Sequence, residues 1–203
     1  MIAEDLATFE RCIAVGGVAL FPADTVYGLA TEPDSKEGLQ RLYRLKRRRP
    51  DKPAAVMFFN RDLALAALPD LPTPTAEAAE RLLPGPVTLL LPNPAHRFPL
   101  ASGPNPRVLG LRVPDLSGDL AALSGVKWPI LQSSANISDG PEARRIDDVE
   151  ETIRAGVDMI LDGGELPGTP STVVDLTRYH ENGSYRIARA GAVSAEEIEA
   201  ALR

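Results

Sequence analysis

Apolar positions along this chain change their spacing several times, and each change marks an element. Leu6, Phe9 and Ile13 recur at helical spacing, so a helix is expected over residues 4–15, stopped by Gly16-Gly17. Val18, Ala19, Leu20 and Phe21 then form an unbroken apolar run, the pattern of a buried strand ending at Pro22. Ser35 is placed to cap a helix whose Leu39, Leu42 and Tyr43 share one face, with Glu37 and Arg41 paired on another. Residues 54–59 read as a strand. After Pro74, a helix over residues 75–83 turns Ala76, Ala79, Leu82 and Leu83 inward. Residues 87–91 and 108–113 have strand character, separated by a proline-rich loop over 92–106 whose composition is that of an ordered segment. Residues 129–132 form another short strand. Ile146, Val149 and Ile153 mark a helix closed near Gly156, and residues 157–161, 172–176 and 185–188 return to strand. A final helix opens with a capping box, Ser194 with Glu197, and buries Ile198, Ala201 and Leu202. Strands and helices interleave without strict alternation. The expectation is one α/β domain over residues 1–203, with a twisted mixed sheet flanked by helices.

Composition narrows the possibilities. At 203 residues and 44% apolar content the chain can bury a normal core. It has no apolar run long enough to cross a membrane, and its start (Glu4, Asp5, Glu10) lacks the basic-then-apolar layout of a signal peptide. Cys12 is the sole cysteine, which excludes internal disulfides and cysteine-rich zinc sites and fits a reducing cytoplasm. Charge is unevenly spread. The net charge is −6, yet residues 41–52 hold seven cations (Arg41, Arg44, Lys46, Arg47, Arg48, Arg49, Lys52) against Asp51 alone. Without that segment the rest carries 15 positive and 27 negative groups, or −12. A local anion site fits this distribution better than a surface that coats nucleic acid.

Five segments bring hydroxyls or cations to the tips of strands. Thr25 sits in the run Pro22–Ala30, beside Tyr27 and the permissive Gly28. The basic segment leaves a helix that Pro50 should end near Arg48 or Arg49, holding its cations beside the next strand. Pro84-Gly85-Pro86 is a rigid turn feeding Thr88. Gln132-Ser133-Ser134-Ala135-Asn136-Ile137-Ser138 packs small polar groups behind a strand. Gly168–Asp175 adds Ser171 and Thr172. Arg112 and Arg189 lie in strand-like runs, where an inward guanidinium needs an anionic partner. Taken alone, the Thr25 turn reads equally well as a structural turn, while the basic run reads better as a solvated charge run and Pro84–Thr88 as a plain turn before a strand. Ser134 lacks a Gly-x-Ser-x-Gly elbow, Asp162-Gly163-Gly164 lacks the Gly-Lys-Ser/Thr end of a phosphate loop, and the two histidines, His96 and His180, lie in turn-rich segments. No metal ligand set is expected. Together the segments suggest a pocket for a phosphorylated molecule and a small polar one, working by alignment and charge stabilisation.

In this order the motifs resemble the YrdC-type threonylcarbamoyl-AMP synthase family in its short, single-domain form. They are Pro-x-Asp-Thr-Val-Tyr-Gly-Leu, Leu-Lys-x-Arg-x-x-Asp-Lys-Pro at 45–53, Pro-Gly-Pro-Val-Thr, Leu-Arg-Val-Pro, Ser-Ala-Asn-Ile-Ser and Ser-Thr-Val-Val-Asp. The resemblance implies a YrdC-like fold with a central basic cleft. It implies a nucleotidyltransferase joining L-threonine, bicarbonate and ATP into threonylcarbamoyl-AMP and pyrophosphate, usually with Mg2+. The product would serve the threonylcarbamoyl modification of adenosine 37 in tRNA, with hand-off to a separate transferase complex in the cytoplasm. By the same resemblance Thr25, Arg112, Ser134 and Ser171 would hold threonine. Arg48, Lys52, Thr88, Val108, Asn136, Arg144 and Arg189 would hold ATP together with Lys46. Lys46, Arg48 and Lys52 would steady the charge that develops as the carbamate oxygen attacks the α-phosphorus. Two positions depart from the family pattern: Met57 stands where long-form members often carry histidine, and Ala190 replaces the proline of Arg-Pro-Gly. The alternatives are a non-catalytic RNA-binding module of the same fold and a carbamoyl-adenylate-forming relative.

Overall fold

The computed structural model describes residues 3–203. Helix α1 (Ala3–Ala14) leads into β1 (Ala19–Pro22), β2 (Tyr27–Thr31), α2 (Lys36–Leu45) and β3 (Ala55–Met57). Next come α3 (Arg61–Ala66), α4 (Thr73–Leu82), β4 (Val87–Pro92), α5 (Pro99–Ser102) and β5 (Val108–Arg112). A 3-10 segment (Gly118–Gly125) precedes β6 (Ile130–Ser134), and a second (Ile146–Asp148) precedes α6 (Glu151–Arg154). The chain continues through β7 (Met159–Ile160), β8 (Thr172–Asp175), α7 (Tyr179–Asn182), β9 (Arg186–Arg189) and α8 (Ala195–Leu202). The described strands form one nine-stranded sheet in the order β7-β1-β2-β6-β3-β5-β4-β8-β9. The pairs β1/β7, β3/β5 and β4/β8 are parallel and the others antiparallel. The sheet is therefore mixed, as the interleaved pattern predicts.

Side-chain alternation gives the central strands two different faces. Val56, Leu89, Leu91, Leu109, Leu111 and Leu131 are fully buried on one. They join a single core that also takes in Ala78, Ala79 and Leu82 of α4 and Ile198 and Leu202 of α8. Phe9 of α1 packs on Phe21 and Phe59 with ring centroids 5.8 and 6.1 Å away, tying the first helix to the sheet. The opposite face carries smaller and polar groups, described with the site below.

Three elements differ from the sequence expectation, each for a local reason. Residues 22–30 are not only a strand tip: after a short turn the chain pairs back as β2, with Gly28 opposite Phe21. A Cβ on Gly28 would fall 2.8 Å from Phe21 Cε1, so the glycine leaves room for that ring. Helix α2 ends at Leu45 rather than near Arg48 or Arg49. There Arg47 N–H donates to Arg44 O (3.0 Å) and Arg48 N–H to Tyr43 O (2.8 Å), with Arg47 left-handed at φ +50°. That closes the last turn before Pro50 acts. The expected helix around Ile146, Val149 and Ile153 splits in two, because the Asp148 carboxylate accepts from both Arg144 and Arg145 N–H (2.9 Å each) and fixes a tight turn. The short helices α3, α5 and α7 carry too few periodic positions to be read from sequence. The 92–106 loop is ordered as expected, since the buried Asn93 amide donates to Arg97 O and Pro106 O (2.9 Å each) and clasps its two arms. No helix among the described residues is long and apolar enough to cross a membrane.

Candidate active site

The less apolar face of the sheet is the floor of a cleft of about 480 Å3, within the usual range for small-ligand sites. Gln132, Ala55, Gly110, Leu90 and Asp175 stand in register across β6, β3, β5, β4 and β8 and form one row of that floor. Alanine and glycine at the middle of the row keep the floor low. The neighbouring positions on the same face bring up Arg112, Thr88 and Val173, while Ser102 and Asn105 of the 92–106 loop form a wall. The polar groups thus stand on the face of the sheet as well as at strand ends.

Arg112 is the most constrained cation. Its side chain is 5% exposed, and its Nη2 donates to Asp24 Oδ1 (2.5 Å) and Thr25 Oγ1 (3.2 Å). Asp24 Oδ2 accepts from Asp115 N–H (3.0 Å), so both carboxylate oxygens are engaged. Burial raises the Asp24 carboxyl above its usual range, against the opposing pull of Arg112. Arg112 lines the cleft, and its Nε–H is buried with no acceptor among the described residues. Thr25 lies behind it, almost fully buried. Opposite, Thr88 and Ser171 share a hydroxyl hydrogen bond (2.8 Å), and Arg189 donates to Ser171 O (2.7 Å). Arg189 is exposed rather than inward, and no carboxylate among the described residues pairs with it. The chain after β9 runs so close to this strand that a Cβ on Gly191 would lie 2.5 Å from the Ser171 carbonyl carbon.

The cations of residues 41–52 do not converge. Arg48 lines the cleft, its guanidinium 5.6 Å from the Tyr43 ring centroid and its Nη2 2.7 Å from Pro53 O. Lys46 lies beneath the surface, 1% exposed, donating to Ser134 O, Asn136 O (2.7 Å) and Asn136 Oδ1 (2.9 Å). Burial, with Arg48 adding to it, lowers its pKa to about 8. The Asn136 side chain is spent internally, accepting also from Ser134 Oγ (2.7 Å) and donating to Gly140 O (2.6 Å). Lys52 reaches Asp139 (3.3 Å), Arg49 pairs with Asp51, and Arg41 pairs with Asp158. Arg144 is exposed and pairs with Glu165 (2.8 Å). Of the residues singled out from sequence, Arg48, Thr88, Val108, Arg112, Ser134, Ser171 and Arg189 line the cleft; Thr25, Lys46, Lys52, Asn136 and Arg144 do not. Met57 is fully buried beside Arg112 in the sheet register, and Ala190 is exposed. The lining holds three arginines with Glu142 and Asp175, a mixed rather than purely basic surface.

Sequence reasoning assigned no role to Asp24 or Glu142. Asp24 had a usable signal, because a buried arginine demands a carboxylate and the aspartate sits inside the first motif. Glu142 had none, since it follows a glycine-proline turn that looks like ordinary loop.

The architecture is that of an α/β domain whose mixed sheet turns one face to a cleft lined by three arginines and two carboxylates. The chain belongs to the Sua5/YciO/YrdC family, whose model, described as "Telomere recombination", matches residues 11–191. It is 30% identical to threonylcarbamoyl-AMP synthase of Pyrococcus abyssi over 188 residues, covering 92% of this chain and 54% of that one. It is 33% identical to threonylcarbamoyl-AMP synthase of Pseudomonas aeruginosa over 170 residues, covering 82% of this chain and 89% of the relative. Among solved structures, P. abyssi Sua5 complexed with L-threonine superposes with a TM-score of 0.79 at 28% identity, over 97% of this chain and 56% of that one. E. coli YciO, at 21% identity and TM-score 0.77, shares the fold over 95% of this chain and 92% of its own. The chain spans 54% to 60% of the length of the Pyrococcus, Bacillus subtilis and mouse synthases.

Proposed function

We propose that this chain makes threonylcarbamoyl-AMP from L-threonine, bicarbonate and ATP, releasing pyrophosphate. The observation that carries the reading is the gathering of Arg48, Arg112 and Arg189 with the Thr88, Ser134 and Ser171 side chains around one cleft. Arg112, held by Asp24 and Thr25, suits the threonine carboxylate, because a guanidinium fixed on one edge still offers donors on another. Ser134 and Ser171 supply short hydroxyl contacts. Arg48 and Arg189 face the triphosphate, with Thr88 and the backbone at Val108 along the nucleotide's path. Lys46 and Asn136 act from below by fixing the segment after β6, while Lys52 and Arg144 are flanking cations that reach phosphate on giving up their carboxylate partners.

The chemistry these groups serve is an in-line attack. The carbamate formed on the threonine nitrogen presents an oxygen to the α-phosphorus, and pyrophosphate leaves from the opposite side. Fixed guanidinium groups oppose the charge that builds on the phosphoryl oxygens. No group of three or more His, Cys, Asp or Glu that could hold an ion occurs among the described residues. Mg2+, where used, would arrive on phosphate oxygens, supplying charge neutralisation without a protein cage. The product would serve threonylcarbamoylation of adenosine 37 in tRNA, through a separate transferase in the cytoplasm.

The reading is tested by pyrophosphate release from purified, folded protein supplied with ATP, bicarbonate and Mg2+, with and without L-threonine. Threonine-dependent release is expected. Release that ignores threonine, or none at all, overturns the reading. A non-catalytic RNA module would instead show salt-sensitive RNA affinity and no ATP turnover.

A further inference from the structure

We propose that Glu142 receives the α-ammonium group of the amino-acid substrate, an inference that rests on the function proposed above. Glu142 lines the cleft, and its Oε2 is shut off from solvent with no donor in reach. A buried bare carboxylate oxygen is unfavourable unless a ligand completes it. The other acids near the cleft are already committed. Asp24 serves Arg112 and Asp115 N–H, and Asp175 accepts from Thr177 N–H (3.0 Å), Thr177 Oγ1 (2.6 Å) and Arg186 (3.0 Å). An amino acid needs an acceptor for its ammonium as well as donors for its carboxylate, and Glu142 is the lining carboxylate with capacity left.

Its location fits that use. The backbone beside it is strapped to the first residue of β2, where Tyr27 N–H donates to Ala143 O (3.0 Å), and Asn136 Nδ2 holds Gly140 O on the other side. Tyr27 is two residues from Thr25, whose hydroxyl touches Arg112. Carboxylate and ammonium share one carbon in an α-amino acid, so their partners must be neighbours. Burial lowers the pKa of Arg112 and of Lys46, and the Glu142 charge opposes that at both. A divalent cation carried by the triphosphate is the competing occupant. The backbone strap to β2, two residues after Thr25, sets Glu142 towards the amino-acid end, which favours the ammonium.

The test is calorimetric titration of the full chain, in EDTA and without nucleotide, with L-threonine and with (R)-3-hydroxybutanoate, which lacks only the amine. Glu142→Gln is expected to weaken threonine binding about 10- to 100-fold, the loss of one charge-assisted hydrogen bond, and to leave hydroxybutanoate binding unchanged. Glu142→Asp, keeping the charge on a shorter arm, should fall between and retain the preference for threonine. Unchanged threonine affinity, or equal weakening of both ligands, overturns the inference. Wild-type protein that binds no threonine overturns the functional reading itself, a separate and distinguishable result.

Discussion

At the scale of single residues, the site depends on how far each cation is already satisfied. Arg48 makes one carbonyl hydrogen bond and a contact over Tyr43, and its buried Nε–H has no acceptor. Arg48→Ala should therefore cost only about 1–2 kcal/mol of stability while lowering turnover at least 100-fold. Paired thermal melts and pyrophosphate assays measure both, and a fully active variant would remove Arg48 from the site. Lys46 is the opposite case, with three acceptors and hardly any exposure. Its pKa of about 8 against an ordinary 10.5 gives a definite sign. Between those values the unfolded chain binds more protons than the folded one, so this group's contribution to stability rises with pH across that window. Side-chain NMR should place the Lys46 midpoint near 8, and stability relative to Lys46→Met should climb from pH 8 to 10.5. A midpoint near the ordinary value would mean the ammonium is fully supported by its acceptors.

At the scale of elements, the row from Gln132 to Asp175 decides what the cleft can admit. Ala55→Leu would raise the floor at its centre without touching the buried face. Stability should change by roughly 0.5 kcal/mol or less, as at a surface site, while KM for ATP rises more than tenfold. Fluorescent nucleotide binding and a melt measure the two effects, and unchanged nucleotide affinity would show that the ligand does not cross that row. Much of this layout was legible in the chain. The apolar runs at 18–21, 87–91 and 108–113 and the Ser194–Glu197 box announce their elements because local spacing and capping act over a few residues. What escaped depends on pairing across long separations. Residues 27–31 become a strand only because Phe21 lies against Gly28 and Ser134 pairs on the far side. The basic segment looked like one cluster, yet a turn closed by Arg47 and Arg48 N–H sends its side chains in different directions. Thr25 was legible as important, whereas its position behind Arg112 needed the fold.

At the scale of the whole molecule, a chain of net charge −6 concentrates opposing charges around one cleft, with Arg48, Arg112 and Arg189 beside Glu142 and Asp175. Such a lining suits a zwitterion and a polyanion together better than it suits a nucleic-acid backbone, which rewards uniformly positive surface. The sheet supplies the rigidity: its buried face is anchored by fully buried leucines, and its open face carries the polar groups at fixed register. If the proposed function holds, this one cleft joins all three substrates. The most direct measurement is mass spectrometry of the nucleotide products after incubation with ATP, L-threonine, Mg2+ and 13C-bicarbonate. The expected product is a threonylcarbamoyl adenylate carrying the label, formed by the wild-type chain and not by Arg48→Ala. Folded wild-type protein that yields no labelled adenylate would contradict the proposed function.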